Sequence, residues 1–241
     1  MQSYWLGVLE FRAAWDLQRA VASWRQLPDA QDVLLLLEHP PTITLGRGAS
    51  PSHILATGRE LSTLGVEVVP IDRGGDVTYH APGQLVGYPI CDLRSRGSDL
   101  HRFIRDMEQA LINLLDEYGI AARRFSPNTG VWVGEEKVAA IGVRVSRWIS
   151  THGFALNVST DLDGFSLIVP CGLRGYGVTS LERLLGGAPS VEQVAMDAAR
   201  HFEAVFGGGR ENGPAPPLDP ALVRWAYPHR TSAASALSTS Q

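Results

Sequence analysis

Lysine is almost missing from this 241-residue chain: of its 21 basic residues only Lys137 is a lysine, and the rest are arginine. A guanidinium keeps its charge throughout the working pH range, whereas an amine can release and regain a proton. A position that stayed lysine therefore suits proton transfer or a compact ammonium, or else is a leftover charge on the turn that Glu135 and Glu136 begin. Cysteine is nearly as scarce, with only Cys91 and Cys171. Neither belongs to a CxxC pair, and a chain this long can build a core without a staple. Free thiols are expected, and a structural zinc site is not. Excess positive charge is absent too: the net charge is −4 at pH 7, which argues against a nucleic-acid partner. No apolar run approaches the roughly 20 residues needed to span a bilayer, and the start of the chain lacks the basic-then-apolar order of a signal peptide. A cytoplasmic location away from membranes follows as the expectation.

What is present reads as one large α/β domain. Strands are expected over residues 4–9, 33–37, 42–45, 66–71 and 85–90, with a helix over 11–26. The run Val33-Leu34-Leu35-Leu36-Leu37 is continuously apolar, as in a strand buried on both faces, and His39-Pro40-Pro41 ends it. The clearest helix starts near Ser98 or Asp99: Leu100, Phe103, Ile104, Met107, Leu111, Leu114, Leu115 and Tyr118 keep helical spacing, and Gly119 suits a left-handed stop. Residues 130–133 and 138–145 form a hairpin around Gly134-Glu135-Glu136, with Lys137 opening the returning strand, and 154–158 is a further strand. Thr179 with Glu182 and Ser190 with Gln193 have capping-box spacing. Beyond Gly207 periodicity fades, apart from a short amphipathic piece at 222–225, and the tail is expected to be disordered.

Three segments carry candidate chemistry. Arg73-Gly74-Gly75-Asp76-Val77-Thr78-Tyr79-His80 leads into Ala81-Pro82-Gly83-Gln84. Adjacent glycines let a backbone bend tightly and approach a ligand, yet the spacing is neither that of a phosphate loop nor that of a dinucleotide fingerprint. Ligand loop and tight hairpin both fit. Cys171 follows the apolar run Leu167-Ile168-Val169 and lies between Pro170 and Gly172, which would hold a thiol stiffly with open space after it. A buried inert cysteine also fits. Cys91 has no such setting and reads as packing. A reactive thiol needs a nearby cation or base, for which Lys137, His80 and His152 are available. His152 precedes Gly153-Phe154-Ala155-Leu156-Asn157, where small residues around Phe154 suit the wall of a pocket and His152 can orient a turn.

Taken together, these segments resemble the lipoyl(octanoyl) transferase family. The matching blocks are Arg73-Gly74-Gly75 through Thr78, His80 and Pro82-Gly83-Gln84; Lys137 with Ala140-Ile141-Gly142; His152 through Asn157; and Pro170-Cys171-Gly172. They occur in order and span roughly residues 1–207. The family pattern has glycine where this chain has Ala81, a change that removes no reactive group. The resemblance implies a mixed β-sheet packed with α-helices, as in the catalytic domain of biotin and lipoate protein ligases. That domain would occupy residues 1–207, followed by an extension over 208–241.

The resemblance also implies the chemistry. Cys171 would accept an octanoyl group from acyl carrier protein as a thioester. Lys137 would lower the thiol's pKa and would relay protons. The acyl chain would lie along Arg73, Gly74, Gly75, Asp76, Val77, Thr78, Tyr79 and His80, with Ala140, Ile141, Gly142, Gly153, Phe154 and Ala155, while His152 and Asn157 support the site. Acceptors would be lysines on lipoyl domains of 2-oxoacid dehydrogenase E2 subunits and of the glycine cleavage H protein. Arg73, Arg144 and Arg147 could steer these acidic partners. No cofactor or metal is needed, and a monomer is expected. Three rival readings remain: an ATP-dependent lipoate or biotin ligase of the same fold, a cysteine-dependent thioester hydrolase, and a carrier-protein-binding module without activity.

Overall fold

A computed structural model of the chain describes residues 1–126, 128–169, 176–207 and 215–227. Pro170, Cys171 and Gly172 lie outside the described residues, as do 208–214 and 228–241 of the extension. The elements are β1 (Gln2–Val8), α1 (Phe11–Trp24), β2 (Val33–Glu38), β3 (Thr42–Leu45), α2 (Gly58–Thr63), β4 (Glu67–Pro70), β5 (Val77–His80), β6 (Gln84–Ile90), α3 (Leu100–Glu117), β7 (Arg123–Phe125), β8 (Asn128–Val133), β9 (Glu136–Ser146), β10 (Ile149–Asn157), β11 (Gly177–Val178), α4 (Leu181–Leu185), α5 (Val191–Phe206) and β12 (Trp225–Tyr227).

Among the described residues, nine strands make one mixed sheet in the order β12-β1-β2-β6-β10-β9-β8-β7, with β11 added beside β9. A second sheet of order β4-β3-β5 stands next to it. The leucine run of β2 explains the layering. Leu34 and Leu36 enter a core shared with α3 and α5, while Val33, Leu35 and Leu37 enter the core under α1. Both faces of the sheet are thus covered, which a continuous apolar strand requires. The expected helical stripe packs as α3, capped by the Asp99 side chain, which accepts from the Arg102 N–H. Gly119 follows its end at φ +72°.

α5 is tied to the sheet by aromatic stacking. The Phe154 ring lies on Phe202 with centroids 5.0 Å apart, in the favourable range for offset rings. To get there it crosses the neighbouring strand at Gly87, where an added Cβ would fall 2.2 Å from the ring carbons. Gly87 is thus an opening through which one side chain locks a helix to its sheet.

Four local expectations change. β10 starts at Ile149, earlier than the strand expected from residue 154, so His152 lies within a strand and orients no turn. α2 was not foreseen, although Thr57 and Glu60 form a capping box at its start. Ser180, not Thr179, caps α4 by accepting from the Arg183 N–H. The piece near 222–225 continues as β12, an edge strand antiparallel to β1, with Trp225 stacked on Trp5. No helix among the described residues is long and apolar enough to cross a membrane.

Gly87→Ala should destabilise the fold by about 1–3 kcal/mol, the usual cost of overpacking, because its methyl group and the Phe154 ring claim one space. Urea unfolding checks this. A midpoint equal to that of the unaltered chain would show that the aromatic lock is dispensable.

Candidate active site

The α1 face of the main sheet and the small sheet border a cleft lined by residues of both. Its construction follows from strand register. Ala155 of β10 stands between Val86 of β6 and Ala140 of β9, and Gly153 pairs with Gly142. Small residues at alternate positions of β9 and β10 leave room on this side. The side chains between them, Ile141 and Phe154, pack toward the α3/α5 core, so they border the cleft mainly through backbone. At Gly153 a Cβ would fall 2.1 Å from the Gly87 carbonyl oxygen, so β10 and β6 close together only around a glycine.

The glycine-rich segment forms the opposite wall. Gly74 N–H donates to the Val143 carbonyl at 3.0 Å, and Gly48 N–H donates to Gly75 at 3.0 Å, docking two loops and β9 on one another. Arg73 threads the junction. A Cβ on Gly46 would sit 2.4 Å from the Gly75 oxygen and 2.8 Å from Arg73 Nη1, and one on Gly142 would sit 3.0 Å from Arg73 Cδ. The guanidinium donates to Thr44 O and Oγ1 at 3.2 and 3.0 Å and to Gly74 O at 3.1 Å. With 8% of its surface exposed, Arg73 cannot act as a steering charge, because its donors hold the cleft wall together. Arg144 is engaged with Asp72 at 2.9 Å. Arg147 is exposed between β9 and β10.

Further along, Asp76 accepts from Val77 N–H at 2.8 Å and pairs with His53 at 2.6 Å. Val77, Thr78 and His80 line the cleft. Tyr79 turns to the other face of β5 and meets Phe165 edge-on. Phe11, Ile71, Val86 and Tyr88 also line the cleft. Sequence reasoning passed over them, although Gln84, Val86 and Tyr88 show the period-two spacing of one strand face.

A hydrogen-bond chain leaves the cleft toward Lys137. His80 Nδ1 donates to Gln84 Oε1 at 2.8 Å, Gln84 Nε2 donates to Asn157 Oδ1 at 2.9 Å, and Asn157 Nδ2 donates to the Thr179 carbonyl at 3.0 Å. Thr179 N–H then donates to the Lys137 carbonyl at 3.0 Å. Lys137 borders a small cavity with Gln84, Asn157 and Val178 that shares Thr78, Ala140 and Ala155 with the cleft. On its other side lies an outer groove reaching Gly74, Gly75 and Asn128. The expected catalytic amine and binding stretches are thus neighbours. Both described flanks of residues 170–175 come here as well: Val169 N–H donates to His53 O at 2.8 Å, and Val178 pairs with Lys137 in parallel register. Cys171 itself lies outside the described residues.

His80 and His152 line the cleft, and His39 stands behind it through Tyr88. His39 Nδ1 donates to Leu9 O and its Nε2 accepts from Tyr88 Oη, both at 2.6 Å. His152 adopts φ +58°, turning its N–H to Gln18 Oε1 at 2.7 Å while its ring meets Asp72 at 2.9 Å. Burial lowers His39 to about 4 and His80 to about 3. His152 is lowered by burial against the pull of Asp72. Burial raises the Tyr88 phenol and pushes the Cys91 thiol well up, so that sulfur is packing, as its sequence setting implied.

Comparison with known proteins follows from this geometry. The lipoyl protein ligase A/B catalytic domain matches residues 10–203. The octanoyltransferase of Chloroflexus aggregans is 54% identical over 84% of this chain and 93% of its own length. The chain belongs to the octanoyltransferase family. It is therefore an enzyme, an acyltransferase. Solved structures agree on the fold. A lipoate-protein ligase A bound with ATP superposes with TM-score 0.69 at 19% identity, covering 89% of this chain and 90% of that one. A bipartite lipoate protein ligase from Thermoplasma acidophilum, described together with its E2 lipoyl domain as an archaeal lipoylation system, gives TM-score 0.62 at 19% identity over 89% and 88%. This octanoyltransferase-family chain thus carries the mixed-sheet architecture of lipoate ligases.

The buried neutral histidines give stability a pH dependence. Their folded values lie below the ordinary 6.5, so as pH falls the unfolded chain binds protons before the native one does. The stabilisation is complete above about pH 6.5 and drains away toward 4 and 3. From pH 6.5 to 5 the urea-unfolding free energy should fall by up to about 1.4 kcal/mol per pH unit for each such histidine. His39→Gln should remove one share of that slope. An equal slope in the variant would refute the assignment.

Proposed function

We propose that this chain moves an octanoyl group from the thioester of acyl carrier protein to a lysine of a lipoyl domain, through an acyl-enzyme on Cys171 served by Lys137. The observation that carries the proposal is that Thr78, Ala140 and Ala155 line both the cleft and the cavity that Lys137 borders, so the two spaces are neighbours. An aliphatic chain held among these small and apolar residues gains about 0.8 kcal/mol per buried CH₂. Its carbonyl end would point toward Lys137. Relatives named octanoyltransferase support the acyl group, and the ligase described together with its E2 lipoyl domain supports lipoyl domains as acceptors; those of 2-oxoacid dehydrogenase E2 subunits and of the glycine cleavage H protein are the acceptors proposed. The activity is assigned to residues 1–207, in the cytoplasm.

The chemistry balances in two transfers. With Lys137 as ammonium and Cys171 as thiolate, the sulfur attacks the thioester carbonyl. A C–S bond forms to Cys171, the bond to the carrier sulfur breaks, and Lys137 gives its proton to the departing thiolate. A neutral acceptor amine then attacks the acyl-enzyme. The C–N bond forms, the bond to Cys171 breaks, and Lys137 takes the amine's surplus proton. Thiolate and ammonium are restored, and thioester to amide runs downhill without ATP. Backbone N–H groups of the Gly74-Gly75 loop are candidates for holding the developing oxyanion.

Octanoyl-carrier protein should add one octanoyl mass to Cys171, found by mass spectrometry of the digested enzyme. C171A and C171S should lose transfer altogether. K137A should lose about 10²- to 10⁴-fold in rate, the usual worth of a positioned acid–base group, and K137R should fail as well, since guanidinium does not yield its proton. Omitting ATP should change nothing. Label on Cys91, or full activity in C171A, would overturn the reading.

A further inference from the structure

Three aromatic rings stand where β7, β8 and the chain after residue 175 meet. Phe125 and Trp132 have centroids 5.1 Å apart, Phe125 and Tyr176 5.4 Å, and Trp132 and Tyr176 5.6 Å, the last two pairs edge to face. Trp132 is buried at the centre. Directly across the strand pair, Lys137 is its register partner, and Lys137 Nζ sits 4.9 Å above the indole centroid. Of the common aromatic faces, indole attracts a cation most strongly.

The stem of Lys137 is confined as well. Gly130, two residues before Trp132, adopts φ +124°, and a Cβ there would fall 2.5 Å from the Ala139 oxygen and 3.5 Å from Lys137 Cε. Its N–H donates at 3.1 Å to Glu108, a fully buried carboxylate that also binds Arg105 and Arg124. The backbone beside the lysine stem is therefore anchored to α3. A lysine has four rotatable side-chain bonds and loses much freedom when held. Here glycine below and indole beneath the head group set its path in advance.

We infer that Trp132 is the positioning residue for Lys137: its ring face holds the ammonium in place for the transfer, and the edge contact with Tyr176 ties the same ring to the chain that follows residue 175. The inference rests on the reacting role proposed for Lys137. It gives the indole a role beyond filling the space between Phe125 and Tyr176. Proximity of a catalytic group counts only when its orientation is fixed. A flexible ammonium on a strand end would otherwise sample many placements.

Because the chain has a single lysine, ¹³C-lysine labelling yields one residue's signals. In the full chain the Hε–Cε cross-peak should lie upfield of a free lysine's, shifted by the indole ring current. Trp132→Leu should move that peak to the free-lysine position and lower kcat ten-fold or more, with KM held within about three-fold. Trp132→Phe should keep part of the shift and recover most of the rate. Site-specific incorporation of fluorinated tryptophans at position 132 alone preserves shape and ring current but weakens the negative face, so kcat should fall with each added fluorine while the peak stays upfield. This arm remains decisive if Trp132→Leu does not fold. A free-lysine shift in the unaltered chain, full kcat in Trp132→Leu, or indifference to fluorination would each overturn the inference. Activity retained in K137A would strike the role of Lys137 itself, and the cross-peak reports the ring contact regardless of that result.

Discussion

A buried guanidinium holds this site together. Arg73 spends its donors on Thr44 of the small sheet and on its own loop, while its stem rests on Gly142 of the large sheet. Two sheets are thereby fixed one cleft's width apart. A buried charge is costly unless oxygen atoms take up its hydrogen bonds, and carbonyl and hydroxyl groups do so here. The glycines around it follow from that placement: a side chain at Gly46 or Gly142 would need the volume the arginine fills. The glycine-rich segment serves first as packing around one cation, and the cleft is the space left beside it.

The cleft also depends on what does not ionise. Its walls contain three histidines or their partners, and burial keeps His39 and His80 neutral through the physiological range. Each is oriented by a partner, Leu9 and Tyr88 in one case and Gln84 in the other. The cleft thus presents uncharged rings along one side and alanine or glycine along the other. The charged side chains here are Arg73, locked in the wall, Asp76, paired with His53, and Lys137 at the junction with the outer groove.

Much of this was legible in the residues, for identifiable reasons. The leucine run of β2 is continuously apolar and the stripe of α3 is long and helically periodic, so the order of residues shows which faces they bury. The four motif blocks were legible as a resemblance, and strand register explains their form: Ala-Ile-Gly on β9 and Gly-Phe-Ala on β10 are antiparallel partners, each with small residues at alternate positions. What escaped depended on contacts distant in sequence. Thr151-His152-Gly153 reads as a turn, and nothing local reveals that Gln18 of α1 receives the amide that a left-handed residue turns out of the sheet. Arg73 reads as an exposed charge because its partners Thr44 and Gly142 lie far along the chain. Tyr79 and Phe154 fall inside matching blocks, yet alternation sends their rings to other cores. The capping box of α2 was present but too short a signal to stand alone.

The scarcity of lysine has a chemical consequence for an enzyme proposed to acylate amines. An activated thioester discriminates poorly among unhindered primary amines, and a protein surface ordinarily offers many. Here the coat of basic residues is made of guanidinium groups, which stay protonated and are poor nucleophiles. A composition of this kind guards a catalyst against consuming its own activated cargo.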